Sequence, residues 1–255
     1  MSLKMYLDHR GTIEWCREVA DIGRRHSAVL DGSVEVFVLP SFPSLPTVAD
    51  LLADTKIRFG GQNLHQEDTG AYTGEVSGPT LRQIGCDLVE VGHYERRTLF
   101  GEDDGIVAAK VTAALRNGLI PVLCVGESEK STPEAAAEES FGQLEAATRT
   151  AHQLGLHGRV IVAYEPAWAI GAAEPADAAY IRAVGGTLRR RMDADSLHLS
   201  NSVIYGGSAG PGLLTRLDGS VDGLFLGRFA HDPAALRRVL DEAATLVAAN
   251  NGSMA

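Results

Sequence analysis

The sequence predicts an α/β fold in which a parallel sheet, buried on both faces, is wrapped by helices. Three observations predict it. Short runs rich in Val, Ile and Leu recur at residues 34–39, 57–59, 88–91, 120–125, 160–163, 203–205 and 223–226. They are continuous rather than alternating, as expected of strands covered on both sides. Helical periodicity fills the intervals, at residues 12–26, 46–52, 79–84, 105–117, 133–154, 177–191 and 233–249. Finally, the 255 residues contain no linker-like or low-complexity break. One unit of that size is unusual outside barrels and large sandwiches, so residues 1–249 read as a single barrel domain and residues 250–255 as a flexible tail.

Taken in order, the elements carry their own punctuation. Pro79, Pro133 and Pro233 suit the first turn of the helices they open, and Asn117-Gly118 suits a helix stop. The beginning is the weak point. Seven strands are clear, and an eighth would have to be Met1-Ser2-Leu3-Lys4, whereas strands usually run roughly 3 to 10 residues. A barrel closes only with every strand present, so the expectation is either a stub or strand residues lying upstream of Met1.

The totals exclude some partners. Lys plus Arg is 23 against 33 Asp plus Glu, a formal charge of −10, which argues against nucleic acid or an anionic membrane surface. An anionic small substrate then needs a local positive pocket. Cys16, Cys86 and Cys124 are scattered and in no metal-binding spacing, which reads as reduced core residues in a cytoplasmic protein. No apolar run approaches the roughly 18 residues of a membrane span, and the start lacks a signal-peptide pattern.

Functional residues of a parallel barrel gather where its strands end. Those ends hold Lys4, Gln62-Asn63, Gly92-His93-Tyr94-Glu95-Arg96-Arg97, Gly126-Glu127, Glu165, Gly206-Gly207-Ser208 and Gly227-Arg228. A carboxylate, an imidazole and a cation are what proton abstraction beside a carbonyl requires. Glycine turns leave backbone N–H groups for phosphate oxygens, and the stretch after Gly210 offers a possible helix N-terminus. Pro166, Trp168, Ile170 and Gly171 follow Glu165 with a stiff start, an apolar middle and a flexible end, the makings of a lid. Arg96 and Arg97 read as structural ion-pair partners.

These segments, with Thr73-Gly74-Glu75, Phe100-Gly101-Glu102 and Asp222-Gly223, resemble triosephosphate isomerase over nearly the whole chain. The resemblance implies a (β/α)8 TIM barrel with its first strand truncated, a homodimer that needs neither cofactor nor metal. It further implies Glu165 as base, His93 as electrophile, Lys4 as cation and Glu95 as their support. Gly171, Ser208 and Gly227 would hold the phosphate of a small phosphorylated sugar, with Arg228 as a further phosphate-binding residue. The loop at residues 69–78 would insert into the neighbouring subunit, with Thr73 reaching the partner's site and Gln62 supporting its own.

Departures from the family bear on the substrate. The usual Asn-x-Lys is Ser2-Leu3-Lys4, the Ser after the histidine is Tyr94, the lid ends Gly171-Ala172-Ala173, and a glycine pair has become Gly227-Arg228. The first expectation is interconversion of dihydroxyacetone phosphate and glyceraldehyde 3-phosphate, a step of glycolysis and gluconeogenesis. The alternative is a four-carbon ketose phosphate such as erythrulose phosphate, whose isomerases resemble this chain at Gly227-Arg228. A non-catalytic phosphate-binding barrel would need no general base, and an assembly protein using the loop at 69–78 would need no rim.

Overall fold

The computed structural model describes residues 1–194 and 201–252. Among them β1 (Phe37–Val38), β2 (Arg58–Gly61), β3 (Leu88–Val91), β4 (Ile120–Val125), β5 (Ile161–Tyr164), β6 (Ser202–Gly206) and β7 (Gly223–Phe225) form one sheet in sequence order. Every pairing is parallel, for example Val122 beside Ile161 and Tyr164 beside Tyr205. The α-helices are α1 (His9–Gly23), α2 (Ser27–Leu30), α3 (Leu45–Leu52), α4 (Gly78–Ile84), α5 (Tyr94–Phe100), α6 (Asp104–Arg116), α7 (Pro133–Gln153), α8 (Ala178–Ala194), α9 (Leu213–Leu217) and α10 (Pro233–Gly252). The expected proline starts are used, with Thr132 capping α7 through the Ala135 N–H. The last helix runs past the expected boundary at residue 249 to Gly252, and residues 253–255 of the expected tail lie outside the described residues.

The first strand is a stub. Ser2 makes a single parallel bridge to Leu39. Its N–H donates to Leu226 O at 3.1 Å, the Leu3 N–H to Leu39 O at 3.0 Å, and the Leu39 N–H to Met1 O at 2.9 Å. Met1 to Leu3 therefore tack the two edges of the sheet together over one bridge, leaving an open, seven-stranded version of the barrel. The next strand suffers for it: of the expected run 34–39, only Phe37–Val38 forms β1, because the stub offers little ladder on that side.

Side chains alternate between two cores. Phe37, Leu39, Leu88, Val122, Cys124, Ile161, Ala163, Ile204 and Phe225 fill the lumen, while Val89, Val91, Leu123, Val162 and Val203 pack outward under the helices. Alternation by two then fixes the next side chain along each strand to face the lumen. Glu90 comes two positions after Leu88 and Glu165 two after Ala163, so both carboxylates enter the lumen. The three cysteines are free and buried, and burial pushes the Cys16 and Cys86 thiols up to about 12. Among the described residues no helix is long and apolar enough to cross a membrane.

Candidate active site

Glu165 leaves β5 with its N–H bonded to Val125 O at 2.8 Å and its side chain only 8% exposed. Two glycines make that position possible. A Cβ on Gly126 would stand 2.2 Å from the Glu165 carbonyl oxygen, and one on Gly206 would stand 2.5 Å from its Oε1. The other carboxylate oxygen, Oε2, has no hydrogen-bond partner. Leaving a buried acceptor unmet costs roughly 1–3 kcal/mol, so this oxygen is open to a donor.

His93 faces it, with Nε2 at 3.6 Å from Glu165 Oε2. The ring sits at the start of α5, where Nδ1 is 3.1 Å from the Glu95 backbone N–H. A backbone amide can only donate, so Nδ1 accepts and the ring proton lies on Nε2, toward the carboxylate. Lys4 follows the stub with φ of 50° and bonds Glu95 Oε1 at 2.7 Å. Burial works against its charge, yet the Glu95 hydrogen bond and the charges of Glu95, Glu165 and Glu90 outweigh that and hold the ammonium above its usual range. Gln62 steadies it from behind, its Nε2 donating to Lys4 O at 3.0 Å and Leu39 O at 2.8 Å.

These groups close on a cavity of about 120 Å³ that is also lined by Gly171, Ser208, Gly227 and Arg228. Eight of the ten residues singled out from the sequence thus meet in one space, and Gln62 backs it. Thr73 does not; it is exposed on the loop before α4. A larger cavity of about 520 Å³ opens elsewhere, lined by β1, β7 and α10. Its two arginines are already matched, Arg159 with Glu35 at 2.7 Å and Arg189 with Asp222 at 3.4 Å. Neither histidine nor lysine lines it.

The expected helix N-terminus after Gly210 is corrected by the structure. The Gly212 and Thr215 N–H groups at the start of α9 donate to the Glu242 carboxylate at 2.8 and 2.6 Å, so that end is occupied from within the protein. Arg96 and Arg97 are structural as read: Arg96 meets Glu102, and Arg97 meets Asp104 at 2.7 Å. Among the described residues no group of His, Cys, Asp and Glu has the arrangement of a metal site.

The segment after Glu165 is latched. Trp168 Nε1–H donates to Glu127 Oε1 at 2.9 Å, as do Tyr180 Oη–H at 2.8 Å and Tyr164 Oη–H at 3.2 Å, while the Ala167 N–H meets Glu127 O at 3.0 Å. At its far end Ser208 Oγ–H donates to Ala172 O at 2.6 Å. Glu127 is fully buried. In the sequence Glu127 is marked only as a rim residue, because its partners lie far along the chain.

A model of the triosephosphate isomerase family matches residues 1–243. The chain belongs to the triosephosphate isomerase family. It is an isomerase of that sugar-phosphate superfamily. Within the family it is 48% identical over 246 residues to the L-erythrulose-1-phosphate isomerase of Pectobacterium atrosepticum, covering 96% of this chain and 95% of the relative. It is 38% identical to the triosephosphate isomerase of Alkalilimnicola ehrlichii, over 88% of this chain and 92% of that one. The crystal structure of the Bartonella henselae triosephosphate isomerase superposes with a TM-score of 0.79 at 28% identity, covering 94% of this chain and 95% of the other.

Proposed function

We propose that this protein isomerises L-erythrulose 1-phosphate by proton transfer through an enediolate, in place of the triose phosphate reaction that the sequence put first. The 48% identity to an L-erythrulose-1-phosphate isomerase, against 38% to a triosephosphate isomerase, carries the choice of substrate. The chemistry rests on the unpartnered Glu165 Oε2 lying 3.6 Å from the protonated nitrogen of His93. Glu165 takes the proton from C3 of the ketose. Negative charge grows on the C2 oxygen, where His93 Nε2–H and the Lys4 ammonium receive it. Triosephosphate isomerase is the standard example of this pairing of a glutamate base with a histidine donor. Returning the proton to C2 leaves the carbonyl on C3. The product is then erythrulose 4-phosphate, a ketose rather than the aldose that a three-carbon substrate would give.

The phosphate goes to Gly171, Ser208 and Gly227, with Arg228 adding the positive charge that a chain of net charge −10 must concentrate locally. Residues 1–249 act as one domain. A homodimer fits the surface: Met5 is 93%, Leu99 73% and Phe100 65% exposed, apolar side chains suited to covering by a second copy into which Thr73 reaches. Phosphorus NMR with L-erythrulose 1-phosphate and dihydroxyacetone phosphate side by side tests the assignment. Appearance of the 4-phosphate is expected. Turnover of the triose phosphate alone refutes the substrate, and turnover of neither by folded protein refutes the proton-transfer roles.

A further inference from the structure

One buried titratable group has no part in the chemistry above. Glu90 is 3% exposed in the middle of β3, on the lumen face two residues after Leu88. An apolar side chain would serve a strand better there, since burying a carboxylate is strongly unfavourable unless the charge is matched or used. Its Oε2 accepts the Ser2 Oγ–H at 2.8 Å, and among the described residues no other side-chain donor reaches it. Ser2 in turn lines the small cavity beside Lys4, His93 and Glu165. The lumen residues next along the sheet, Cys124 and Ala163, are small. Beneath the reacting groups the barrel is therefore polar on the β3 side and lined by small side chains, with Glu90 reaching the cavity through Ser2.

The direction of the substrate gives this place a use. With phosphate at the turns after β6 and β7 and the reacting carbons between Glu165 and His93, a fourth carbon runs on away from the phosphate, toward β3. We propose that Glu90 and Ser2 form the subsite for the hydroxyl on the carbon farthest from the phosphate, making Glu90 a specificity-determining residue. The inference rests on the four-carbon reading. Burial above all, with the Glu165 charge adding to it, pushes the Glu90 carboxyl above its usual range. A protonated carboxyl both donates and accepts, as does an alcohol.

The test is the ratio of kcat/KM for L-erythrulose 1-phosphate to that for dihydroxyacetone phosphate, in wild type, Glu90→Gln, Glu90→Leu and Ser2→Ala. Glu90→Leu is expected to lower the ratio about 30-fold, the loss of a buried hydrogen bond to substrate. Glu90→Gln keeps a donor and an acceptor and holds the ratio within about threefold. A Glu90→Leu protein that loses both activities by the same factor overturns the subsite and marks Glu90 as structural. Should that variant fail to fold, Ser2→Ala decides: a ratio lowered about fivefold supports the subsite, an unchanged ratio refutes it. A wild type that prefers the four-carbon ketose while its variants keep the ratio refutes the subsite alone. A wild type confined to the triose phosphate refutes substrate and subsite together.

Discussion

Gly206→Ala places a methyl group where the structure has the Glu165 carboxylate. The added Cβ would lie 2.5 Å from Oε1, 2.6 Å from Cγ and 2.9 Å from Cδ, with nothing but the glutamate among its nearest neighbours. Ordinary contact needs about 3.4 Å, so one partner has to move by roughly 1 Å. The strand cannot, because Gly206 is paired with Phe225 in the β6–β7 ladder. Glu165 yields instead, and its free oxygen leaves the line to His93 Nε2. Misplacing a reacting group by about 1 Å costs ~100-fold in rate, which is about 2.7 kcal/mol of barrier. The expectation is a kcat lowered ~100-fold with KM changed less than about threefold, since no phosphate contact is touched. Steady-state rates on the four-carbon ketose measure it, with circular dichroism showing that the fold is intact. A folded variant with kcat within about twofold of wild type refutes the reasoning.

Other expectations come from the same geometry. Glu165→Asp retracts the base by one methylene and is expected to lower kcat ~100- to 1000-fold with little change in KM; an unchanged kcat refutes its role as base. Glu127→Leu strands the buried Tyr164 hydroxyl and releases Trp168, and is expected to cost about 2 kcal/mol, ~5 °C in Tm by calorimetry. Glu90 has a folded pKa raised above its ordinary 4.5, mainly by burial. Its stabilising share is therefore full below pH 4.5 and lost as pH rises through the folded value. Glu90→Gln escapes that loss, so its Tm advantage over wild type should open above pH 4.5; a pH-independent difference refutes it. Arg228→Gly is expected to move the kcat/KM ratio about tenfold toward the triose phosphate, whereas equal loss on both substrates makes Arg228 a general phosphate ligand.

Most of the fold was legible because buried parallel strands announce themselves as unbroken apolar runs, and proline and glycine marked the helix ends. The rim was legible for a related reason: strand ends are where polar residues interrupt those runs, so Lys4, His93 and Glu165 stood out. Glu90 did not stand out: it lies inside the apolar run 88–91, and the run does not say which positions face lumen and which face helix. Only the lumen set containing Leu88 settles that. Gly206 resembled any turn glycine, because the Glu165 carboxylate that a Cβ there would strike comes from a different strand end. The helix start at Gly212 looked free because Glu242, which fills it, lies 30 residues further on.

Glu127 gathers Trp168, Tyr180 and Tyr164 on one carboxylate, and this has an optical consequence. The chain contains two tryptophans. Trp15 is 5% exposed and bonded to Ala230 O at 2.8 Å, fixed in the core by α1. Trp168 is the one that rides on the segment over the cavity, bonded to a buried anion and with the Lys130 ammonium 5.1 Å from its ring centre. Any swing of that segment breaks both contacts at once. The indole emission would shift with such a swing, so ligand titrations in the unlabelled protein test whether the segment moves, with Trp15 as a constant background.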